Sequence, residues 1–233
     1  MTVLSVIQNV CLVVAIDKPD QVFASTDREM QEMARLANEI ADRLMLGFDW
    51  QVLQTIKTYT GDDVTEGHDL PDDYDRMVEG ASMWSSRWTW AFNHINSPDT
   101  WLEYQVVPYT FVNGNWIMFG GQLHVLPIMA ATETLKFFYV SENIVEASGG
   151  TAKAAFTADD DSLRIDEKLL ELGMIWQWRA NKGLPYQEDM ANFERRLNKR
   201  MKSDAGSNPI ISGNKGFNWK RSGAWAFPQT VGG

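Results

Sequence analysis

Apolar residues recur at helical spacing in two pairs of segments, one pair near each end of the chain. The spacing predicts four helices, at residues 2–15, 26–47, 166–182 and 185–202. A capping box, Thr26-Asp27-Arg28-Glu29, would begin the second helix, because its end residues can each satisfy an unpaired amide. The apolar first helix lacks a basic leading region, so we interpret it as a core helix and not as a signal peptide.

The middle of the chain changes to the alternating pattern of β-strands. Residues 52–60 and 134–141 are rich in β-branched and aromatic side chains and predict two strands. Gly120-Gly121 separates two short apolar runs, which is the pattern of a β-hairpin. Ser97-Pro98-Asp99 predicts the start of a short helix over residues 98–106.

This order of elements predicts an α+β fold. The N-terminal and C-terminal helix pairs would close into one four-helix bundle, and the β-rich insert would form a second lobe. The predicted domains are residues 1-50 and 159-202 for the bundle, 51-158 for the lobe and 203-233 for an extended C-terminal arm.

The C-terminal arm, residues 203–233, has an unusual composition. It contains six glycines and two prolines and has no periodic pattern, yet it carries aromatic and aliphatic side chains that a solvated linker lacks. We expect it to dock on a partner as an extended peptide, and the alternative is a tail that packs on its own domain. The candidate binding residues of the arm are Ile210, Ile211, Phe217, Trp219, Lys220, Arg221, Trp225 and Phe227.

Charge is distributed unevenly along the chain, whose net charge is −10. Residues 1–178 carry 11 Lys/Arg and 27 Asp/Glu, a net −16, whereas residues 179–233 carry 10 Lys/Arg and 4 Asp/Glu, a net +6. The asymmetry indicates either that the two parts face different partners or that basic residues cluster on one solvated helix. The acidic bulk argues against tight wrapping of nucleic acid by the main body.

Basic residues concentrate at the end of the last predicted helix. Cations near a helix C-terminus are favourable in themselves, and the alternative is contact with an acidic partner surface or with DNA phosphates. These residues are Arg195, Arg196, Lys199, Arg200 and Lys202.

The sequence offers no pattern typical of an active site. His68, His94 and His124 are isolated from one another, and no phosphate-binding loop or nucleophile elbow occurs. The single cysteine, Cys11, excludes an intramolecular disulfide and multi-thiolate metal sites, and it lies in an apolar helix as a packing residue would. We therefore expect no enzymatic activity, no cofactor and no metal, and the apolar runs are too short to span a membrane.

Two acidic clusters and one tryptophan cluster are candidate binding sites. The runs Asp72-Asp73-Tyr74-Asp75 and Asp159-Asp160-Asp161 lack the ligand spacing of a calcium loop and are interpreted as solvated charge. Trp84, Trp88 and Trp90 are candidates for a tail or subunit interface. Alternatively they would stack on sugars, because Trp88 and Trp90 would share one face of a strand, and the protein would then be a carbohydrate- or receptor-binding tail module.

The order of several landmarks resembles the head-to-tail adaptor proteins of tailed bacteriophages, also described as connector, tail accessory or packaged-DNA stabilisation proteins. The similarity covers roughly residues 1–202. It is carried by 25–27 (Ser-Thr-Asp), 48–51 (Phe-Asp-Trp-Gln), 70–76 (Leu-Pro-Asp-Asp-Tyr-Asp-Arg), 121–123 (Gly-Gln-Leu), 169–173 (Leu-Leu-Glu-Leu-Gly), 176–179 (Trp-Gln-Trp-Arg), 182–186 (Lys-Gly-Leu-Pro-Tyr) and 188–189 (Glu-Asp).

The resemblance implies a structural protein in the neck of the virion, assembled in the cytoplasm of the bacterial host. Such adaptors form a ring, usually of twelve subunits, beneath the portal protein, and they offer a platform to a tail, nozzle or hub protein. They extend the channel through which double-stranded DNA passes without sequence specificity, and they help to retain packaged DNA. C-terminal extensions commonly reach the portal, which is the role expected for the C-terminal arm.

Overall fold

The structure is a computed structural model that describes residues 1–107 and 109–204. The described residues form five α-helices: α1 (Val3–Val14), α2 (Arg28–Gly47), α3 (Pro98–Val106), α4 (Glu167–Asn181) and α5 (Gln187–Asp204). They also form eleven strands: β1 (Gln54–Thr60), β2 (Gly67–Asp69), β3 (Tyr74–Met77), β4 (Trp84–Ser85), β5 (Asn93–His94), β6 (Asn115–Phe119), β7 (Gln122–Leu126), β8 (Thr134–Ser141), β9 (Val145–Glu146), β10 (Ala152–Lys153) and β11 (Ser162–Leu163).

The strands make three sheets. The first has the order β1-β8-β3, with β4 also paired to β8, and every pair in it is antiparallel. The second has the order β2-β7-β6-β5, in which only β5 and β6 are parallel. The third is the small sheet β10-β9-β11. In β8 the odd-numbered residues Leu135, Phe137 and Tyr139 are buried, since alternate side chains of a strand face one side of the sheet.

The predicted hairpin is confirmed as β6 and β7. Gly120 and Gly121 join the two strands with φ angles of 62° and 79°. A two-residue hairpin turn with positive φ at both positions strains any residue that has a Cβ atom, so the glycine pair is what closes this turn.

The predicted helices and the two long strands are found within a few residues of their predicted bounds, and α3 has the predicted bounds 98–106. The predicted capping box is wrong. Helix α2 begins after Asp27, which accepts no side-chain cap hydrogen bond, and the Ser25 hydroxyl accepts instead from the Asp27 amide at 3.1 Å. A turn before the helix thus uses the hydroxyl of Ser25 and leaves Thr26 exposed.

The largest hydrophobic core lies where α4 packs against α1 and α2. Gly173 permits a close approach of α2 and α4, because a Cβ atom at this position would lie 2.6 Å from the Cγ2 atom of Ile40. Two smaller cores lie against the sheets, one beneath β8 and β7 and one beneath α3, where Trp101 is buried.

The predicted four-helix bundle is wrong: helices and sheets are mixed, and the fold is α+β without a bundle. Helix α5 packs on α4 but buries only Phe193, so it does not close a fourth side of the helical core. Strands and loops contribute to the main core as well. Their buried residues in it include Val140, Ile144, Val145, Phe156, Leu163 and Ile165.

Asp161 organises the loop that holds α1 in place. Its buried carboxylate accepts hydrogen bonds from the Lys153 ammonium at 2.7 Å and from the amides of Thr157 at 2.8 Å and Ala158 at 2.9 Å. Its backbone carbonyl accepts from the amide of Val3 at 2.7 Å, at the first residue of α1. The expectation that this acidic run is solvated is therefore wrong for Asp161.

The same network sets the pKa of the Asp161 carboxyl. Burial acts to raise the pKa, but the Lys153 ammonium and the two amides stabilise the charged form and lower it below its ordinary value. A lowered pKa in the folded state stabilises the protein above the unfolded-state pKa of about 4, and this stabilisation is lost as the pH falls through the folded-state value.

We predict that Asp161→Asn lowers the free energy of unfolding by about 2–4 kcal/mol at pH 7, because it leaves Lys153 and the amides without their charged acceptor. Urea unfolding followed by circular dichroism would measure the loss. The difference between the two proteins should shrink as the pH is lowered below about 4, because the unfolded wild-type chain then takes up a proton that the folded carboxylate binds only at lower pH. A constant difference between pH 7 and pH 3 would contradict this role for Asp161.

Candidate assembly surfaces

The basic residues near the end of α5 form a stripe that points away from the core. Arg195, Lys199 and Lys202 are spaced by four and three residues and so lie on one face of the helix, opposite Phe193. All three are exposed, and in the described part of the chain none of them forms a salt bridge. We call these three residues the basic stripe. Arg200 is also exposed, but it lies seven residues from Phe193 and so on the Phe193 side of α5, away from the stripe.

Arg196 differs from its basic neighbours, because it is paired within the fold. Its Nε atom donates to Asp166 Oδ2 at 3.0 Å and a terminal nitrogen donates to the same oxygen at 2.7 Å. Asp166 is the N-cap of α4 and also accepts from the Lys168 amide. Arg196 thus joins α5 to the start of α4, whereas the basic stripe remains available to a partner.

A groove of about 770 Å³ lies beside the C-terminal end of α5, and we call it the α5 groove. It contains several apolar side chains, one of which, Leu46, is 57% exposed at the end of α2. The groove is lined by Leu46, Gly47, Phe48, Asp49, Gln51, Gln54, Arg76, Met77, Val78, Glu79 and Met201.

Arg76 holds the two sides of the α5 groove together. Its guanidinium donates to the carbonyls of Met45 at 3.0 Å and Phe48 at 3.2 Å, at the end of α2, and it pairs with Asp49 at 2.9 Å and with Asp75. Asp49 in turn accepts from the Glu79 amide at 2.7 Å. The end of α2 and the end of β3 are therefore fixed relative to each other by charged hydrogen bonds.

One face of the first sheet exposes large apolar side chains. Ile56 of β1 is directly opposite Phe138 of β8, and the two are 54% and 45% exposed. Trp84 of β4 is opposite Lys136, two residues from Phe138 on the same side of β8, and is 50% exposed. We call Ile56, Phe138 and Trp84 the outer sheet face. Contiguous exposed apolar side chains of this kind are typical of an interaction surface.

The sequence could have revealed part of the outer sheet face. Phe137-Phe138 interrupts the alternation of β8, and such an interruption indicates a strand with apolar residues on both faces. Ile56 lies on an otherwise polar face of β1, which likewise indicates apolar surface on that face. The α5 groove has no such signal, because it is made where three separate segments meet.

The three candidate tryptophans lie in different environments. A shared stacking face for Trp88 and Trp90 requires a strand over residues 88–90. This prediction is wrong, because β4 ends at Ser85. Trp88 is partly buried and packs against the second core, with the Arg87 guanidinium 5.0 Å from its ring centre. Trp84 and Trp90 are about half exposed, and only Trp84 lies in a strand.

The histidines and the cysteine take part in packing. His68, His94 and His124 stack on Tyr59, Trp116 and Phe119, with ring centres 5.0, 4.1 and 3.7 Å apart. Cys11 is fully buried in α1, and burial raises the pKa of its thiol.

Residues 1–107 and 109–204 contain no group of three His, Cys, Asp or Glu side chains placed to hold a metal ion. No helix in these ranges combines the length and apolar character of a membrane span.

The predicted binding residues of the C-terminal arm lie outside the described residues. These are Ile210, Ile211, Phe217, Trp219, Lys220, Arg221, Trp225 and Phe227. The first two residues assigned to the arm, Ser203 and Asp204, belong to α5. We therefore refer below to residues 205–233 as the C-terminal segment.

Comparison with known proteins assigns the chain to a family. No curated protein matches it. A family model described as SU10 adaptor protein matches residues 1–213, which includes every helix and sheet described above. The chain therefore belongs to the SU10 adaptor protein family, a family of phage head-to-tail adaptors.

Proposed function

We propose that this adaptor joins the portal to the tail, and that its C-terminal segment is the part that binds the portal protein. The supporting observation is the family assignment combined with a segment that carries four aromatic and three basic side chains and no acidic one. Family membership makes the protein a structural component of a phage virion. Its action would be mechanical, without catalysis or a cofactor.

The position of the basic stripe supports this assignment. The stripe runs along the last turns of α5 and is followed in sequence by the C-terminal segment, and both carry basic residues in a chain that is otherwise acidic. Long-range attraction to an acidic partner would bring this end of the adaptor to its binding site first. We propose that the stripe contacts the portal, or the DNA phosphates where the channel begins.

Aromatic anchors would provide most of the binding free energy. Phe217, Trp219, Trp225 and Phe227 would each contribute about 2–3 kcal/mol if buried in pockets of a partner. Repetition around a ring, which we expect to contain twelve subunits, would add avidity and help to retain packaged DNA under pressure. The acidic body, with a net charge of −16 over residues 1–178, would repel double-stranded DNA and let it slide without sequence-specific contact.

The remaining interaction surfaces would face other virion components. We propose that residues 51–158 form the part nearest the tail, and that the outer sheet face contacts a tail, nozzle or hub protein or the next subunit of the ring. Exposed apolar residues of this size fit such a contact better than they fit solvent. Trp88 and Trp90 would lie near the edge of the same contact.

We predict that a chain ending at Asp204 folds normally but binds portal protein at least about a hundredfold more weakly, since losing two aromatic anchors alone exceeds 2.7 kcal/mol. Surface plasmon resonance on immobilised portal would measure the affinity, and circular dichroism would establish the fold. Trp84→Ala is the matched control, because it removes a tryptophan outside the segment: it should keep portal binding and weaken attachment of the tail. Unchanged portal binding by the truncated chain would contradict the proposal.

The basic stripe yields a separate prediction. Replacing Arg195, Lys199 and Lys202 with Gln should weaken portal binding about tenfold at low salt and flatten its dependence on ionic strength, because three exposed charges are removed. Arg196→Gln is the control: it should lower the free energy of unfolding by about 0.5–1 kcal/mol through loss of the Asp166 pair, with the salt dependence of binding unchanged. A triple variant with wild-type affinity and salt dependence would show that the stripe does not contact the partner.

A further inference from the structure

The α5 groove offers apolar surface at the place where the described chain ends. Leu46 and Phe48 of the α2 end, Val78 after β3 and Met201 of α5 all line it. Leu46 is 57% exposed and the others are partly buried, so these side chains retain surface that another apolar group could cover.

The last described residue is fixed at the edge of this groove. The amide of Gln51 donates to the Asp204 carboxylate at 2.8 Å, and the Gln51 side-chain amide donates to the Asp204 carbonyl. Gln51 itself lines the groove. The chain that follows Asp204 therefore starts at the groove.

The sequence just beyond Asp204 is suited to fill the α5 groove. Ile210 and Ile211 follow a linker of five residues, 205–209, which spans at most about 20 Å from Asp204 to Ile210 when fully extended. Two adjacent isoleucines can reach the groove within this distance. They are the only large apolar side chains between Asp204 and Phe217, where the other apolar residues are alanine and proline.

The charges near the groove do not oppose this placement. The C-terminal segment contains Lys215, Lys220 and Arg221 and no acidic residue. The groove contains Asp49, Glu79 and Arg76, and Arg76 is already paired with Asp49 and Asp75. The groove and its immediate surroundings are therefore net negative. Residues 205–214 carry no charge, so they bring no like charge to this surface, and Lys215, which follows them directly, has the opposite charge.

We propose that residues 205–214 of the same chain fill the α5 groove, with Ile210 and Ile211 packed against Leu46, Phe48 and Val78. The C-terminal segment then has two parts: a root held on its own subunit, and a tip from Lys215 onward that carries the four aromatic residues to a partner. Anchoring the root would shorten the stretch of chain between the subunit and the tip, which would raise the effective concentration of the tip at its binding site. This placement goes beyond portal binding and does not depend on it.

Disulfide trapping in the isolated full-length chain tests the proposal. Cys11 is buried and is the only native cysteine, so a new disulfide in the variant Leu46→Cys/Ile210→Cys reports the engineered pair. The variant Val78→Cys/Ile210→Cys probes the opposite side of the groove. The control is Leu12→Cys/Ile210→Cys, because Leu12 is 67% exposed on α1 and does not line the groove.

We expect both groove pairs to form an intramolecular disulfide at least about tenfold faster than the Leu12 pair under a glutathione redox buffer, as measured by non-reducing electrophoresis and mass spectrometry of peptides. Equal rates for the groove and control pairs would overturn the proposal. Disulfide-linked dimers from the groove pairs would overturn it as well, and would show that a second copy occupies the groove. The trapping experiment contains no portal protein, so its result does not depend on whether the C-terminal segment binds the portal.

Discussion

The charged junction between Arg76 and Asp49 is the contact on which the arrangement of the assembly surfaces depends. It joins the carbonyls at the end of α2 to β3 of the first sheet, and so connects the helical core to the sheet whose outer face is exposed. Both side chains are partly buried, and a charge in such a position is costly unless its hydrogen bonds are satisfied. Here the guanidinium has four acceptors, which fixes one relative position for the two units.

The surfaces that this junction positions differ in chemistry. Helix α5 presents a basic stripe toward solvent and ends beside the α5 groove, while the outer sheet face consists of large apolar side chains. A component that must join two different neighbours needs two such unlike surfaces, because each then excludes the wrong partner. The electrostatic surface would guide assembly at one end, and apolar burial would hold the other.

Local signals in the sequence predicted the elements well and their packing poorly. Helical periodicity located α1, α2, α4 and α5, and the glycine pair located the β6–β7 turn, because both depend on residues close together in the chain. The prediction of a four-helix bundle is wrong because α5 buries only Phe193, and because strands distant in sequence contribute buried residues to the main core. The burial of Asp161 could not be predicted for the same reason. Its carboxylate pairs with Lys153 and its backbone carbonyl accepts from the Val3 amide, and the acidic run itself indicates neither contact. The basic residues were correctly grouped by helical spacing, but only the contact with Asp166 separates Arg196 from the rest.

The central claim is that this chain works as an assembled adaptor on the portal. The most direct measurement is native mass spectrometry of purified portal protein mixed with an excess of the full-length chain. We expect a complex in which each portal ring carries one complete ring of adaptor subunits. The ring should contain twelve subunits if this chain follows the adaptors that it resembles. If the portal ring showed only the mass of the portal alone at saturating adaptor concentration, and the adaptor appeared only as a separate species, the chain would not be an adaptor that assembles on the portal.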